Sequence, residues 1–175
     1  MTEEQDKQGA GMKERDAGGS RRYLDLDEEQ VISIHGWAIR GVEECFESGM
    51  PRYAHTVGLH QRGLSELIVV GLPYQMAGNF LNAVAHAQAE AAAAGGTPGT
   101  GPLLMPGLSR RFYMLEVSDE QAMRYAPGAY ERGEGKASFM QMCWSDRAGR
   151  FPWDKGFDTG WGEQPLLGIE PGLVH

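Results

Sequence analysis

Two cysteines in 175 residues, Cys45 and Cys143, are too few for a disulfide framework, and neither sits in a CxxC or zinc-type spacing. They read as buried or half-buried thiols. No apolar run approaches the roughly 20 residues of a membrane-spanning helix. The polar N-terminus also lacks the apolar core of a signal peptide, so a cytoplasmic protein without membrane contact is the expectation. Basic runs are missing too. The net charge is −8, and phosphate neutralisation needs clustered Lys or Arg, which excludes duplex nucleic acid as a partner. Arg110 and Arg111 alone make too small a patch to change that.

Nucleotide and nucleophile signatures are equally absent. There is no Gly-x-x-x-x-Gly-Lys-Ser/Thr loop and no Gly-x-Gly-x-x-Gly after a strand, which argues against ATP or dinucleotide binding of those kinds. No Gly-x-Ser-x-Gly marks a serine nucleophile, and Cys143 has no local signature of a thiol nucleophile. A metal site needs three ligands on neighbouring elements, and His35, His55 and Asp146 meet only if the tertiary fold brings them together. No cofactor or metal is expected.

What is present is enough to build a core: 41% of the residues are hydrophobic. The charge is unevenly placed, at 0 over residues 1–22, −6 over 23–48, +2 over 49–111 and −4 over 112–175. Residues 1–22 carry no periodic apolar positions and cannot repay the entropy of ordering, so they read as a disordered tail. Residues 23–168 read as one domain and 169–175 as a second tail.

Asp27 followed three residues later by Gln30 predicts a capped helix start, and Gly36 its end. Residues 37–42 read as a strand with Trp37 and Ile39 on one face. Residues 53–59 alternate, placing Tyr53, His55, Val57 and Leu59 together, and 66–70 are apolar on both faces after Glu66, as in a central covered strand. Residues 74–94 have helical spacing, with Pro73 at the first turn. The same helix carries an uncharged polar stripe of Gln75, Asn79, Asn82 and His86. A Gly/Pro/Thr-rich loop is expected over 95–106, a strand over 111–117, a short helix capped by Ser118, one further turn over 129–132, and a strand over 137–144. The fold class is α+β: a mostly antiparallel sheet of about five strands with one main helix packed on one face.

Four blocks carry a resemblance. They are His35-Gly36-Trp37, then Tyr53-Ala54-His55-Thr56-Val57-Gly58-Leu59, then residues 65–72 (SELIVVGL), and finally residues 141–153 (QMCWSDRAGRFPW) with Gln164-Pro165-Leu166 after them. Their order and spacing over residues 31–167 resemble the bacterial domain-of-unknown-function family 4262. The likeness implies a compact α+β domain and no particular activity. One departure is specific: the family's adjacent Tyr-Thr pair is split here, because His55 precedes Thr56 and Tyr53 lies further back.

The polar members of these blocks are the candidates for chemistry. His55 supplies a base of near-neutral pKa and Asp146 a carboxylate to orient it, which is the pairing a hydrolase or transferase needs. The alternative is a histidine bonded to a backbone carbonyl and an aspartate shaping the 146–149 turn. Aromatic walls with a few polar groups describe a small-molecule pocket as well as a capped core. On the pocket reading, His35, Trp37, Tyr53, Thr56, Gln75, Asn79, Gln141, Trp144 and Trp153 bind the ligand, a small polar molecule held between the His55 strand and the 146–153 segment. The other reading is a protein-interaction module using the acidic N-terminal part and exposed aromatics. The oligomeric state is open.

Overall fold

A computed structural model describes residues 26–96, 99–103 and 110–172. The expected tail over 1–22 and the last three residues lie outside the described residues. The chain opens with α1 (Glu28–His35). Asp27 accepts a hydrogen bond from the Gln30 amide at 2.8 Å and Gln30 accepts one from the Asp27 amide at 3.0 Å, which closes the capping box. Gly36, at φ 92°, ends the helix. There follow β1 (Ala38–Val42), β2 (Tyr53–Val57), a single 3-10 turn (Leu59–Arg62), β3 (Glu66–Val70) and α2 (Tyr74–Ala93). Then come β4 (Gly101–Leu103), β5 (Phe112–Glu116), α3 (Asp119–Tyr125), α4 (Pro127–Arg132) and β6 (Phe139–Trp144).

The strands form one sheet in the order β1-β2-β3-β6-β5-β4. Every neighbouring pair is antiparallel except β3 and β6, which run parallel at the centre. All five residues of β3 and all six of β6 are buried, which explains why β3 lacks polar alternation.

Two apolar layers cover the sheet. Leu67, Val69, Met140, Met142, Trp144, Phe112 and Met114 meet Ala77, Leu81, Val84 and Ala85 of α2 on one face. Tyr53, Val57, Ile68, Val70 and Phe139 meet Ile32 of α1, Ala122 and Tyr125 of α3, Ala129 of α4 and Leu167 on the other. Each fully buried large aliphatic side chain contributes roughly 1.5–3 kcal/mol to holding these layers together.

Three details depart from the expected elements. Among the described residues the sheet has six strands, because three residues of the Gly/Pro-rich stretch pair with β5 as β4. Pro102 is tolerated there since β4 is an edge strand. Helices also cover the second face, although all three are short. The strand expected over 53–59 stops at Val57. Gly58 takes φ 111°, a left-handed conformation that glycine adopts without strain, and this swings Leu59 into the α2-side core.

The segment after β6 is strapped back by two side-chain amides. Gln164 donates to the Trp144 carbonyl at 3.0 Å and accepts from its amide at 2.8 Å. Gln141 donates to the Pro165 carbonyl and accepts from the Leu167 amide, both at 2.8 Å. The Trp144 indole donates to the Val70 carbonyl at 2.8 Å, locking β6 to the end of β3.

Candidate functional site

The densest polar constellation lies where β2 turns into the 3-10 segment. Glu66 opens an otherwise apolar strand and is fully buried. Its carboxylate accepts from the Thr56 hydroxyl at 2.6 Å, the Gly58 amide at 2.8 Å, the His60 amide at 3.1 Å and the His60 ring Nδ1 at 2.7 Å. The Leu67 amide in turn donates to Thr56 Oγ1 at 2.8 Å. A buried carboxylate is tolerated only when its lone pairs are occupied, and here four donors occupy them. Thr56 therefore serves this buried clasp. Glu66 is not among the candidates the sequence reading singles out. The detectable signal is an acid at the first position of a strand that is otherwise buried on both faces.

His55 and Asp146 have other partners. His55 is 3% exposed, donates from Nδ1 to the Thr56 carbonyl at 3.0 Å, and stacks with Tyr53 at 6.3 Å between ring centres. Burial holds its pKa below the ordinary histidine value, opposed by the bond to Thr56 and helped by Arg40 on the neighbouring strand. Asp146 follows the end of β6 by two residues. It accepts from the Arg150 amide and Nε, each at 2.8 Å, and from the Asp158 amide at 3.1 Å. Its carbonyl accepts the Gly149 amide at 3.0 Å, closing the turn. Burial pushes its pKa up, but these donors outweigh burial and hold the carboxyl below the usual range. His55 pairs with Ile68, and Ile68 with Gln141. Asp146 lies five residues past that row, and no hydrogen bond joins it to His55 among the described residues.

Other predicted residues are distributed over both faces. Gln141 uses its amide on the strap, Trp144 its indole on Val70, and Tyr53 packs edge-on against Tyr125 at 4.9 Å. Trp153 stacks on Phe151 and meets Tyr113 at the half-buried outer side of β5. Gln75 and Asn79 are exposed on α2.

His35 and Trp37 come together at a cleft of about 550 Å³ between the end of α1, the start of β1 and α2. Trp37 forms its floor and is 5% exposed. Its indole donates to Asn82 Oδ1 at 3.0 Å, and its ring meets the His86 ring edge-on at 4.8 Å. Val31, Ile39 and Tyr74 complete the walls, and the Arg62 guanidinium stands 5.8 Å from the Trp37 ring centre. Among the described residues no carboxylate lines this cleft. The later half of the α2 polar stripe, Asn82 and His86, thus faces it. Helical spacing placed all four stripe residues on one face but does not report which turn the β1 strand runs beside.

A slightly larger cleft of about 600 Å³ lies between β5 and residues 168–172. Its charged side chains are Glu116 and Glu170, and it holds none of the predicted residues. Convergence of aromatic and polar groups, rather than volume, favours the Trp37 cleft.

No curated protein and no solved structure is significantly similar to the chain. The match to DUF4262, a domain of unknown function, spans residues 31–158 and takes in every strand and α2 of the sheet just described, so the chain belongs to that family.

Proposed function

We propose that the domain binds a small polar molecule, neutral or anionic, in the aromatic-lined cleft at Trp37. The observation that carries this reading is the fixed Trp37–Asn82–His86 arrangement on the floor of that cleft. A hydrogen-bonded indole and an edge-packed imidazole are already ordered, so a ligand does not bear the entropy of ordering them. Val31 and Ile39 supply apolar wall, while Asn82, His86 and Tyr74 supply donors and acceptors. In a chain of net charge −8 the cleft has no acid among the described residues and has Arg62 nearby. Those features disfavour a cationic ligand.

A thermal-shift screen against a metabolite and nucleotide library tests this. Ligand at a hundred times its dissociation constant stabilises by about 2.7 kcal/mol, which raises the midpoint by roughly 5–11 °C for a domain of this size. The expected hit is lost in His86→Ala and kept in His55→Ala. His86 is exposed on α2, so its removal leaves the fold intact. A library without a hit, or a hit insensitive to His86→Ala, overturns the proposal.

A second reading rests on the hairpin between β1 and β2. Phe46 is 87% exposed at its tip, flanked by exposed Glu43, Glu44 and Glu47. An aromatic set among acids suits a basic protein partner. If that reading holds, Phe46→Ala abolishes the partner's binding and leaves the melting midpoint unchanged.

A further inference from the structure

The basic side chains near the end of β6 divide into two groups. Arg150 is paired to Asp146 at 2.8 Å, and Arg111 donates to the Gly149 carbonyl. Both hold the turn that follows the strand. Arg110 and Arg147 do neither. Arg110 lies over the Trp161 ring, its guanidinium carbon 3.4 Å from the ring centre, and donates from Nη1 to the Ser145 carbonyl at 2.8 Å. One of its five N–H donors is thereby used. Arg147 is exposed and has no hydrogen-bond acceptor or ion-pair partner among the described residues. Both guanidinia line a cleft of about 280 Å³ whose base is Trp144 and Trp161.

Two like charges at one small cleft repel each other unless something lies between them. The repulsion registers on Arg110, whose pKa is lowered first by burial and next by Arg147, while Asp146 and Asp158 act in the opposite sense. Those two carboxylates also line the cleft; both oxygens of Asp146 are engaged within its own turn, and Asp158 is engaged through Oδ1. Asp146 receives Arg150 and the Asp158 amide, and Asp158 Oδ1 receives the Gly160 amide at 2.9 Å. Asp158 Oδ2 receives no hydrogen bond among the described residues, but most of the unused capacity at this site is that of the two guanidinia, of whose donors one, Arg110 Nη1, is engaged.

The geometry points to an oxyanion-binding site in the Arg110–Arg147–Trp161 cleft, taking a carboxylate or phosphate group between the two guanidinia. Arginine suits this because its planar fork pairs two oxygens at once. Trp161 packs against the Arg110 guanidinium, and the bond to Ser145 anchors one of its nitrogens. The cleft volume limits the occupant to the oxyanion and a small body attached to it. This site is separate from the Trp37 cleft and does not depend on it.

The test is an NMR titration of the full chain at low ionic strength, where exposed charges are least screened. The probes are inorganic phosphate in one arm and succinate in the other, and the signals followed are the Trp161 indole and the Gly160 amide. The expected result is saturable shifts, with affinity reduced about tenfold or more in Arg147→Ala by loss of a charge-assisted hydrogen bond. Arg124→Ala, on α3 against Tyr125, keeps full affinity. Arg147 bonds to nothing among the described residues, so its alanine variant remains folded. Tighter phosphate identifies a phosphoryl ligand, and tighter succinate a carboxylate. Shifts that never saturate, or an affinity unchanged in Arg147→Ala, overturn the site.

Discussion

Replacing Glu66 is the most informative perturbation of this fold, because its carboxylate is fully buried and accepts four hydrogen bonds. Alanine at this position strips all four donors of their acceptor. Two of them can adapt: the Thr56 hydroxyl rotates, and the His60 ring, 13% exposed, can turn toward water. The amides of Gly58 and His60 cannot, since the backbone fixes them. Each buried donor left without a partner costs about 1–3 kcal/mol, so Glu66→Ala is expected to lose about 4 kcal/mol. That is a large part of the 5–15 kcal/mol typical of a domain.

Glu66→Gln separates acceptor number from charge. Oε1 serves three of the donors and Oε2 only the Thr56 hydroxyl. A glutamine that keeps its oxygen at the Oε1 position retains those three bonds. Its amide nitrogen then donates to Thr56, whose oxygen has a second lone pair beside the one used by Leu67. The expected loss is about 1 kcal/mol. The assay is urea denaturation with an unchanged slope. At about 2 kcal/mol per molar, the midpoint falls by roughly 2 M for alanine and about 0.5 M for glutamine. Equal losses in the two variants, or a loss below about 1 kcal/mol in alanine, refute the reasoning that satisfied donors hold this turn.

Three further outcomes follow from buried or crowded groups. Burial depresses the His55 pKa in the folded state. The unfolded chain therefore binds more protons below its ordinary value of about 6.5, and stability that is full above that pH declines as the pH falls beneath it. Urea midpoints measured from pH 7.5 to 5 should slope less in His55→Gln than in the parent, and superimposable curves refute the assignment. Cys45 is exposed, with its pKa lowered by the hydrogen bonding of Ser48, whereas burial pushes the Cys143 thiol far up. A thiol reagent should titrate one fast cysteine in the native protein and the second only on unfolding, and two equally fast thiols contradict this burial. A Cβ on Gly168 would lie 1.9 Å from the Glu116 carbonyl oxygen. Gly168→Ala is thus expected to cost about 1–3 kcal/mol as overpacking against backbone, and a neutral melting midpoint shows that the 164–168 strap does not pack as described.

The fold was readable wherever one local rule decided the outcome. The Asp27–Gln30 box, the Ser118 cap and the apolar run of β3 each needed only a few residues of context. The strand end at Gly58 was not readable, because alternation continues through Leu59 in the sequence and only the left-handed glycine breaks it. β4 escaped for a different reason: three residues with a central proline carry no periodicity, and their pairing with β5 is a tertiary event. The site was less readable than the fold. The stripe on α2 was visible, but the half of it that matters depends on where Trp37 arrives from another element. The Glu66 clasp joins positions 56, 58, 60 and 66, and nothing in their spacing announces that one carboxylate serves them all. Likewise, Arg110 and Arg147 meet only because β5 and β6 are neighbours.

That pattern bears on where function should be sought in this family. The polar residues that make its blocks recognisable here are mostly turned inward and matched. Thr56 serves Glu66, Gln141 and Gln164 strap the segment after β6, and Asp146 builds its own turn. Each is explained by the cost of an unsatisfied buried group, without appeal to a ligand. Chemistry with an outside molecule needs the opposite condition: polar groups that are ordered yet open to solvent. Among the described residues that condition is met around Trp37, where Asn82 and His86 stand at an open cleft, and around Trp161, where two guanidinia face one. Of the residues lining these two clefts, the block positions His35 and Trp37 belong to the first, and Trp144, Asp146 and Arg147 to the second. Asn82, His86 and Arg110 lie outside the blocks. Substitution of His86 should therefore change binding while sparing stability, whereas Asn82 and Arg110 also hold the buried Trp37 indole and the Ser145 carbonyl and should affect both. Substitutions at Thr56, Glu66 or Gln141 should lower stability while sparing binding, and a melting curve paired with a binding isotherm for each variant separates the two effects.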